Sequence, residues 1–384
     1  MLKRIKDAIA ALLYHIILLI LKIYPGKRGI KHLILVKTDE IGDYFLFRNY
    51  FEDIRQSAKY KDFQITLVAN IAWKDIVATY DADKFDDIVW IDKKRFNKDL
   101  RYRFDQLRRI RNIAATEIVN CVYSRSLLMD DGFAFVSKGR RIAMVCDDTT
   151  NRRSYMMKVD PIYYDQIISA GDKTIFDNIR NGNFIRQLLG ASNIQARMSL
   201  ENVAARNDLG NYCVFFIGAG NPERKWPVSH YVETAKYLAD RYNITAVICG
   251  GKPDIEDARL IAGEYSGQIV DYTGKTTLSQ MLELLSSAKL LVSVDTGAVH
   301  MAATVKCPVV GLYSGKFFGR FAPYPKEIFD KFYPVYPDFV DELIIGNDPV
   351  LYDVHTMKNN TMRLIPPAKV FPYIDQIMSS KLTQ

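Results

Sequence analysis

The chain lacks most of the patterns that announce a chemistry. It has only five histidines and five cysteines in 384 residues, with no CxxC and no HExxH among them. Cys121, Cys146, Cys213, Cys249 and Cys307 fall mostly inside apolar runs, as reduced core thiols of a cytosolic protein do. Neither a disulfide frame nor a structural metal is expected. No GxGxxG follows a strand-like run and no GxxxxGK[ST] occurs, which speaks against a Rossmann dehydrogenase and a P-loop enzyme. A serine nucleophile elbow is missing too.

Positive charge and apolar sequence are plentiful. Lys and Arg number 52 against 44 Asp and Glu, a net charge of +8 that suits a phosphate-bearing partner such as nucleotide, nucleic acid or anionic membrane. The composition, 48% hydrophobic and 25% charged, is that of a globular protein long enough for two domains. Residues 1–28, MLKRIKDAIAALLYHIILLILKIYPGKR, stand apart: Ala8 to Tyr24 is nearly unbroken apolar sequence between basic flanks. It is somewhat short for a span, which needs about 20 apolar residues, and has no small-residue cleavage site. The favoured expectation is a helix lying against an anionic cytoplasmic leaflet; a single span and a helix packed on the protein's own surface are the alternatives.

From Lys31 onward, β-rich runs alternate with helical stretches. HLILVK (32–37), ITLVAN (65–70), DDIVWID (86–92), EIVNCVY (117–123) and RIAMVCD (141–147) read as strands, with helices over 44–58 and 98–112. Residues 148–210 read as polar loops, basic at Arg152 and Arg153, with one helix over 174–189 and an exposed linker. A second series begins at YCVFFIG (212–218) and runs through ITAVICG, QIVDYTG, KLLVSVD and PVVGLYS, with helices at 228–242, 254–264, 276–288 and 297–305. Such alternation implies parallel sheets covered on both faces. The predicted layout is an N-terminal helix (1–28), a first α/β domain (29–205), a second (206–365) and a closing helix (366–384).

Ligands of open parallel sheets sit beyond the carboxyl ends of the strands, so the strand-to-helix turns are the candidate sites. Four are unusual. VKTDEIGDYFLF (36–47) carries Lys37, Gly42 and Asp43, the last either an N-cap or a general base toward a hydroxyl. IGAGNPERKWP (217–227) joins Gly218 to the cations Arg224 and Lys225 in a plausible anion cradle. CGGKPDIEDARLIA (249–262) places Asp254, Glu256 and Asp257 at a helix start, where acids serve the helix dipole or accept ribose hydroxyls. SVDTGAVHMAA (293–303) sets Asp295, Thr296, Gly297 and His300 at another, with Thr296 able to cap and His300 either structural or a ligand contact.

Together these segments resemble glycosyltransferase family 9, whose best-known members are ADP-heptose:lipopolysaccharide heptosyltransferases. ILVKTDEIGD is similar to the family's opening strand and Gly-Asp turn, GAGNPERKWP to its Lys-x-Trp-Pro segment, and GGKPDIEDA to its Gly-Gly-x-x-Glu region. DYTGKTTLSQMLELLSSAKLLVSVDTGAVHMAA resembles its Thr-Gly-Lys and Asp-Ser-Gly-x-x-His-x-Ala block, with Thr296 in place of the usual Ser. The resemblance implies a GT-B fold of two Rossmann-like domains, acceptor on the first and nucleotide sugar on the second. It implies inverting transfer to a lipopolysaccharide-core or similar glycolipid acceptor, with no metal or separate cofactor, ADP-heptose as donor, no nucleic acid, and a place at the inner face of the bacterial cytoplasmic membrane. Asp43 then matches the base, Lys225 a donor phosphate contact, Asp254 or Glu256 the ribose acid, and Asp295, Thr296, Gly297 and His300 the diphosphate and sugar end. A catalytically idle, membrane-tethered nucleotide-sugar binder and a GT-B-shaped sugar-nucleotide epimerase are the competing readings.

Overall fold

The computed structural model describes residues 2–23, 31–146, 151, 160–172, 174–206, 208–353, 357 and 360–380. The predicted basic pair Arg152 and Arg153 lies outside them. Two compact units divide the chain: residues 1–173 with 179–195, and 174–178 with 196–384.

The first unit opens with α1 (Leu2–Ile23) and β1 (His32–Lys37), followed by α2 (Ile41–Phe45), α3 (Asn49–Gln56) and β2 (Gln64–Asn70). Next come α4 (Lys74–Tyr80), β3 (Asp87–Ile91), α5 (Lys93–Lys98), α6 (Leu100–Asn112), β4 (Glu117–Asn120) and α7 (Asp130–Val136). β5 (Arg140–Met144), α8 (Asp160–Tyr163), β6 (Gln166–Ile168) and α9 (Asp177–Leu189) complete it. Its six strands are parallel in the order β3-β2-β1-β4-β5-β6. The helix expected over 44–58 is two helices. A reciprocal contact, Glu40 N–H donating to Asp43 Oδ2 at 3.2 Å, starts the first at Ile41. Asn181 Nδ2 takes the Leu46 carbonyl at 3.1 Å and draws it out of the helical ladder between them. β6 was missed within 148–210 because three residues, two of them exposed, carry no readable period.

The second unit runs β7 (Tyr212–Phe216), α10 (Val228–Tyr242), β8 (Thr245–Cys249), α11 (Ile255–Glu264), β9 (Ile269–Asp271), α12 (Leu278–Ser287) and β10 (Leu291–Val294). α13 (Gly297–Thr304), β11 (Val309–Leu312), β12 (Phe332–Val335), α14 (Asp338–Ile345) and α15 (Phe371–Ser380) follow. The order β12-β11-β10-β7-β8-β9 repeats the first sheet's order when its strands are counted from β7. Both are the doubly wound, Rossmann-like arrangement the sequence predicts. β12 was unforeseen; its Pro334 is tolerated because the strand is an edge, where a missing N–H breaks no interior ladder. α12 is started by Thr277, whose hydroxyl accepts from Gln280 N–H at 3.2 Å while Gln280 Oε1 accepts from Thr277 N–H at 2.9 Å. All five cysteines are free and buried.

α1 packs on its own unit. Tyr14, Leu18 and Leu21 are buried in a core shared with α6 and α7; such side chains contribute about 1.5–3 kcal/mol each. Gly132 on α7 makes the close approach possible, since a Cβ there would collide with the Tyr14 hydroxyl. No helix among the described residues is long and apolar enough to cross a membrane.

Residues 174–178 belong to the second unit although the rest of α9 belongs to the first. Arg320 holds them there through a buried pair with Asp177, at 2.7 Å and 3.2 Å, and its carbonyl accepts from Asp177 N–H at 2.9 Å.

Candidate functional site

In each sheet the strand order reverses beside the first strand, and the loops at the carboxyl ends there are the expected ligand positions. In the first unit this is the junction of β1 and β4. Lys37 ends β1 with its ammonium buried, bonded to Asp39 Oδ2 at 2.7 Å and reaching the Cys121 carbonyl at 3.5 Å across the junction. Burial disfavours that charge, but Asp39 and Asp43 more than offset the penalty and raise the Lys37 pKa. Burial raises the Asp39 carboxyl in turn, with Lys37 opposing it. Thr38 donates to Asp130, which also accepts from Ser126 N–H at 2.7 Å. The Asp39 carbonyl accepts from Asn70 Nδ2 at 3.0 Å and Trp73 Nε1 at 3.3 Å, fixing the loop's path. Asp43 therefore sits on a braced turn but inside the first turn of α2: the helix starts at Ile41, ahead of Gly42-Asp43 rather than after it, and the N-cap is Glu40, not Asp43. Glu40 pairs with Lys93 at 2.5 Å.

In the second unit the junction is between β7 and β10. After β7, Asn221 caps a single 3-10 turn by accepting from Glu223 N–H at 3.0 Å, and this turn delivers Arg224 and Lys225 side by side. Lys225 Nζ lies 2.7 Å from Asp254 and 2.6 Å from Asp257. Arg224 Nη2 lies 2.7 Å from the Asp295 carboxylate. Burial raises the Asp295 pKa, with Arg224 opposing it. Asp254 is itself buried and accepts from Gly251 N–H at 2.9 Å. Gly218 is what lets it lie there: a Cβ at that position would come within 2.5 Å of the Asp254 carboxylate. Trp226 anchors the end of the loop, donating to the Ile365 carbonyl at 2.8 Å.

The proposed residues thus fall into groups. Gly218, Lys225 and Asp254 converge, whereas Glu256 does not join them; it is exposed and pairs with Arg259 at 3.4 Å. Arg224 and Asp257, which the sequence places beside Lys225 and in the same helical turn as Asp254, complete the cluster. Thr296 occupies the N-cap of α13, but its hydroxyl meets Ser293 Oγ at 3.3 Å and makes no capping bond. His300 is buried one turn in, with Nδ1 bonded to the Tyr324 hydroxyl. Burial depresses its pKa to about 4, opposed by Asp177, so at neutral pH the imidazole carries no charge to offer a phosphate. Among the described residues no three His, Cys, Asp or Glu side chains are grouped as metal ligands would be.

Residues 189–331 match the family described as Glycosyltransferase family 9 (heptosyltransferase). The lipopolysaccharide core heptosyltransferase OpsX of Haemophilus influenzae is 34% identical over 104 residues, 27% of this chain and 30% of the relative. The chain spans about a third of the length of the curated relatives it matches. Among solved structures, a family 9 glycosyltransferase from Veillonella parvula superposes with TM-score 0.68 at 16% identity, covering 92% of this chain and 99% of that one. The E. coli heptosyltransferase WaaC with ADP gives TM-score 0.66 at 18% identity, covering 90% and 99%. These structural likenesses establish the GT-B fold. In sequence over residues 189–331, and in fold, the chain is glycosyltransferase family 9-like.

Proposed function

We propose that the protein transfers a sugar, heptose or a related one, from a nucleoside-diphosphate sugar to a hydroxyl of a lipopolysaccharide-core or similar glycolipid acceptor. The observation that carries this reading is the pair of adjacent cations, Arg224 and Lys225, at the switch point beside the start of α13. Cations and helix-start amides offset the charge of a diphosphate, and the matched family segment contains all of them. ADP-heptose is the donor favoured by the family likeness. Asp254 is the better placed of the two acids for ribose, being next to Lys225.

In the reaction, Asp43 takes the acceptor hydroxyl's proton as that oxygen bonds to the anomeric carbon. The carbon's bond to the diphosphate oxygen breaks, configuration inverts, and the nucleoside diphosphate leaves with its added charge balanced by Lys225, Arg224 and the first amides of α13. No metal is required in this scheme, and the chain works at the cytoplasmic face of the membrane that holds the acceptor. His300 acts here as a neutral support that holds Tyr324.

The test is a thermal-shift panel of ADP, UDP, GDP and CMP, repeated on Lys225→Ala, followed by transfer assays with and without acceptor. Stabilisation by one nucleoside diphosphate that the variant loses supports the donor site. Product formed from donor alone would favour an epimerase, and nucleotide binding without transfer an idle binder.

A further inference from the structure

α1 is two-faced. While Tyr14, Leu18 and Leu21 are buried against its own unit, Leu12, Ile16, Leu19, Ile20 and Ile23 are between 44% and 86% exposed. At about 100° per residue these five fall within an arc of about 100°, a continuous aliphatic stripe opposite the buried face. Monomeric proteins scatter exposed aliphatics singly, so a stripe of five marks an interaction surface.

The charge beside it identifies the partner. Lys22 stands at the helix's last turn with its ammonium 4.0 Å from the Phe135 ring. Burial lowers its pKa, and the neighbouring Arg141 and Arg111 lower it further, with Asp165 opposing, so cations gather at that end. Within α1 the sequence has Lys3, Arg4, Lys6 and Lys22 against a single acid, Asp7. Docking to a second copy through the same stripe would bring together two chains of net charge +8, each with Lys22 beside the stripe, whereas an anionic lipid surface offers both acyl chains for the stripe and counter-charge for the rim.

We infer that the Leu12–Ile23 face of α1 is a docking surface for an anionic bilayer, entered shallowly and in one fixed orientation. The orientation is fixed because the opposite face is committed to α6 and α7. The helix therefore acts as a plate built into the first unit rather than as a detachable anchor. This inference needs no nucleotide chemistry and stands or falls apart from the proposed reaction.

The experiment is flotation of the full chain with phosphatidylcholine vesicles, pure or containing about one third phosphatidylglycerol. Wild type floats with the anionic vesicles, less so as salt rises, and weakly with pure phosphatidylcholine. Ile16→Ser/Leu19→Ser/Ile20→Ser binds at least about tenfold more weakly with an unchanged melting curve, since all three side chains face outward. Failure of wild type to float, equal flotation of the triple variant, or equal binding to both vesicle types overturns the inference. So does light scattering that finds a wild-type dimer dissolved by the triple variant, which would make the occupant a second copy.

Discussion

Lys37 ends, and Lys225 follows, the first strand of its sheet, the two sheets share one strand order, and each lysine meets a carboxylate at 2.7 Å. Their surroundings differ. The Lys37 side chain is 3% exposed, wedged beneath a loop that Asn70 and Trp73 hold down. The Lys225 side chain is 24% exposed and shared between two acids, with Arg224 beside it. The first lysine is part of what shapes its loop, and the second is accessible to a ligand. One topology therefore supplies two edges of unlike character, and the difference lies in the loops rather than in the sheets.

The largest effect is expected at Asp43. Asp43→Asn should cut turnover by about 10²–10⁴-fold, the usual range for losing a general base, while nucleotide-induced stabilisation is unchanged. Equal turnover would remove the first edge from the chemistry. Next, Asp39→Ala strands the Lys37 ammonium and should lower unfolding free energy by about 3 kcal/mol in urea titrations, the low end for a broken buried pair. A loss below about 1 kcal/mol would mean that Lys37 is as replaceable as a surface lysine.

A third test concerns the second edge under acid. His300 binds its proton near pH 4 when folded but near 6.5 when unfolded, so the unfolded chain takes up more protons between those values and stability falls as pH drops through that window. Between pH 7 and pH 5 this contributes a loss of about 2 kcal/mol; His300→Gln should flatten that part of the profile. The smallest effect is expected from Lys225→Ala. It should leave the melting temperature nearly unchanged without ligand but weaken nucleoside-diphosphate binding at least about tenfold, or about 1.4 kcal/mol, by calorimetry.

Strand-helix alternation revealed ten of the twelve strands among the described residues because most of them are compact apolar runs. β6 is too short and exposed to show one, and β12 is disguised by an edge proline. The glycine-bearing turns were legible because a turn's needs are local. Their partners were not: Arg224 meets Asp295 across 71 residues and Lys225 meets Asp257 across 32. Asp254 and Glu256 are equivalent in sequence, and what separates them is the fold: Asp254 is buried on Gly251 N–H and Lys225, whereas Glu256 is exposed beside Arg259. For α1, the apolar content was plain, but nearly uniform Leu and Ile hide which face is committed to Gly132 and which is left outside.

The loan of residues 174–178 to the second unit bears on how the protein can be divided. A cut at the 195/196 boundary would leave the C-terminal piece without Asp177, and with it the partner of the buried Arg320 guanidinium. The N-terminal piece would end with a strap that has lost its seat. Although the chain holds two Rossmann-like units, its halves are not interchangeable modules: either would need that five-residue segment reassigned before it could be grafted, swapped or produced alone.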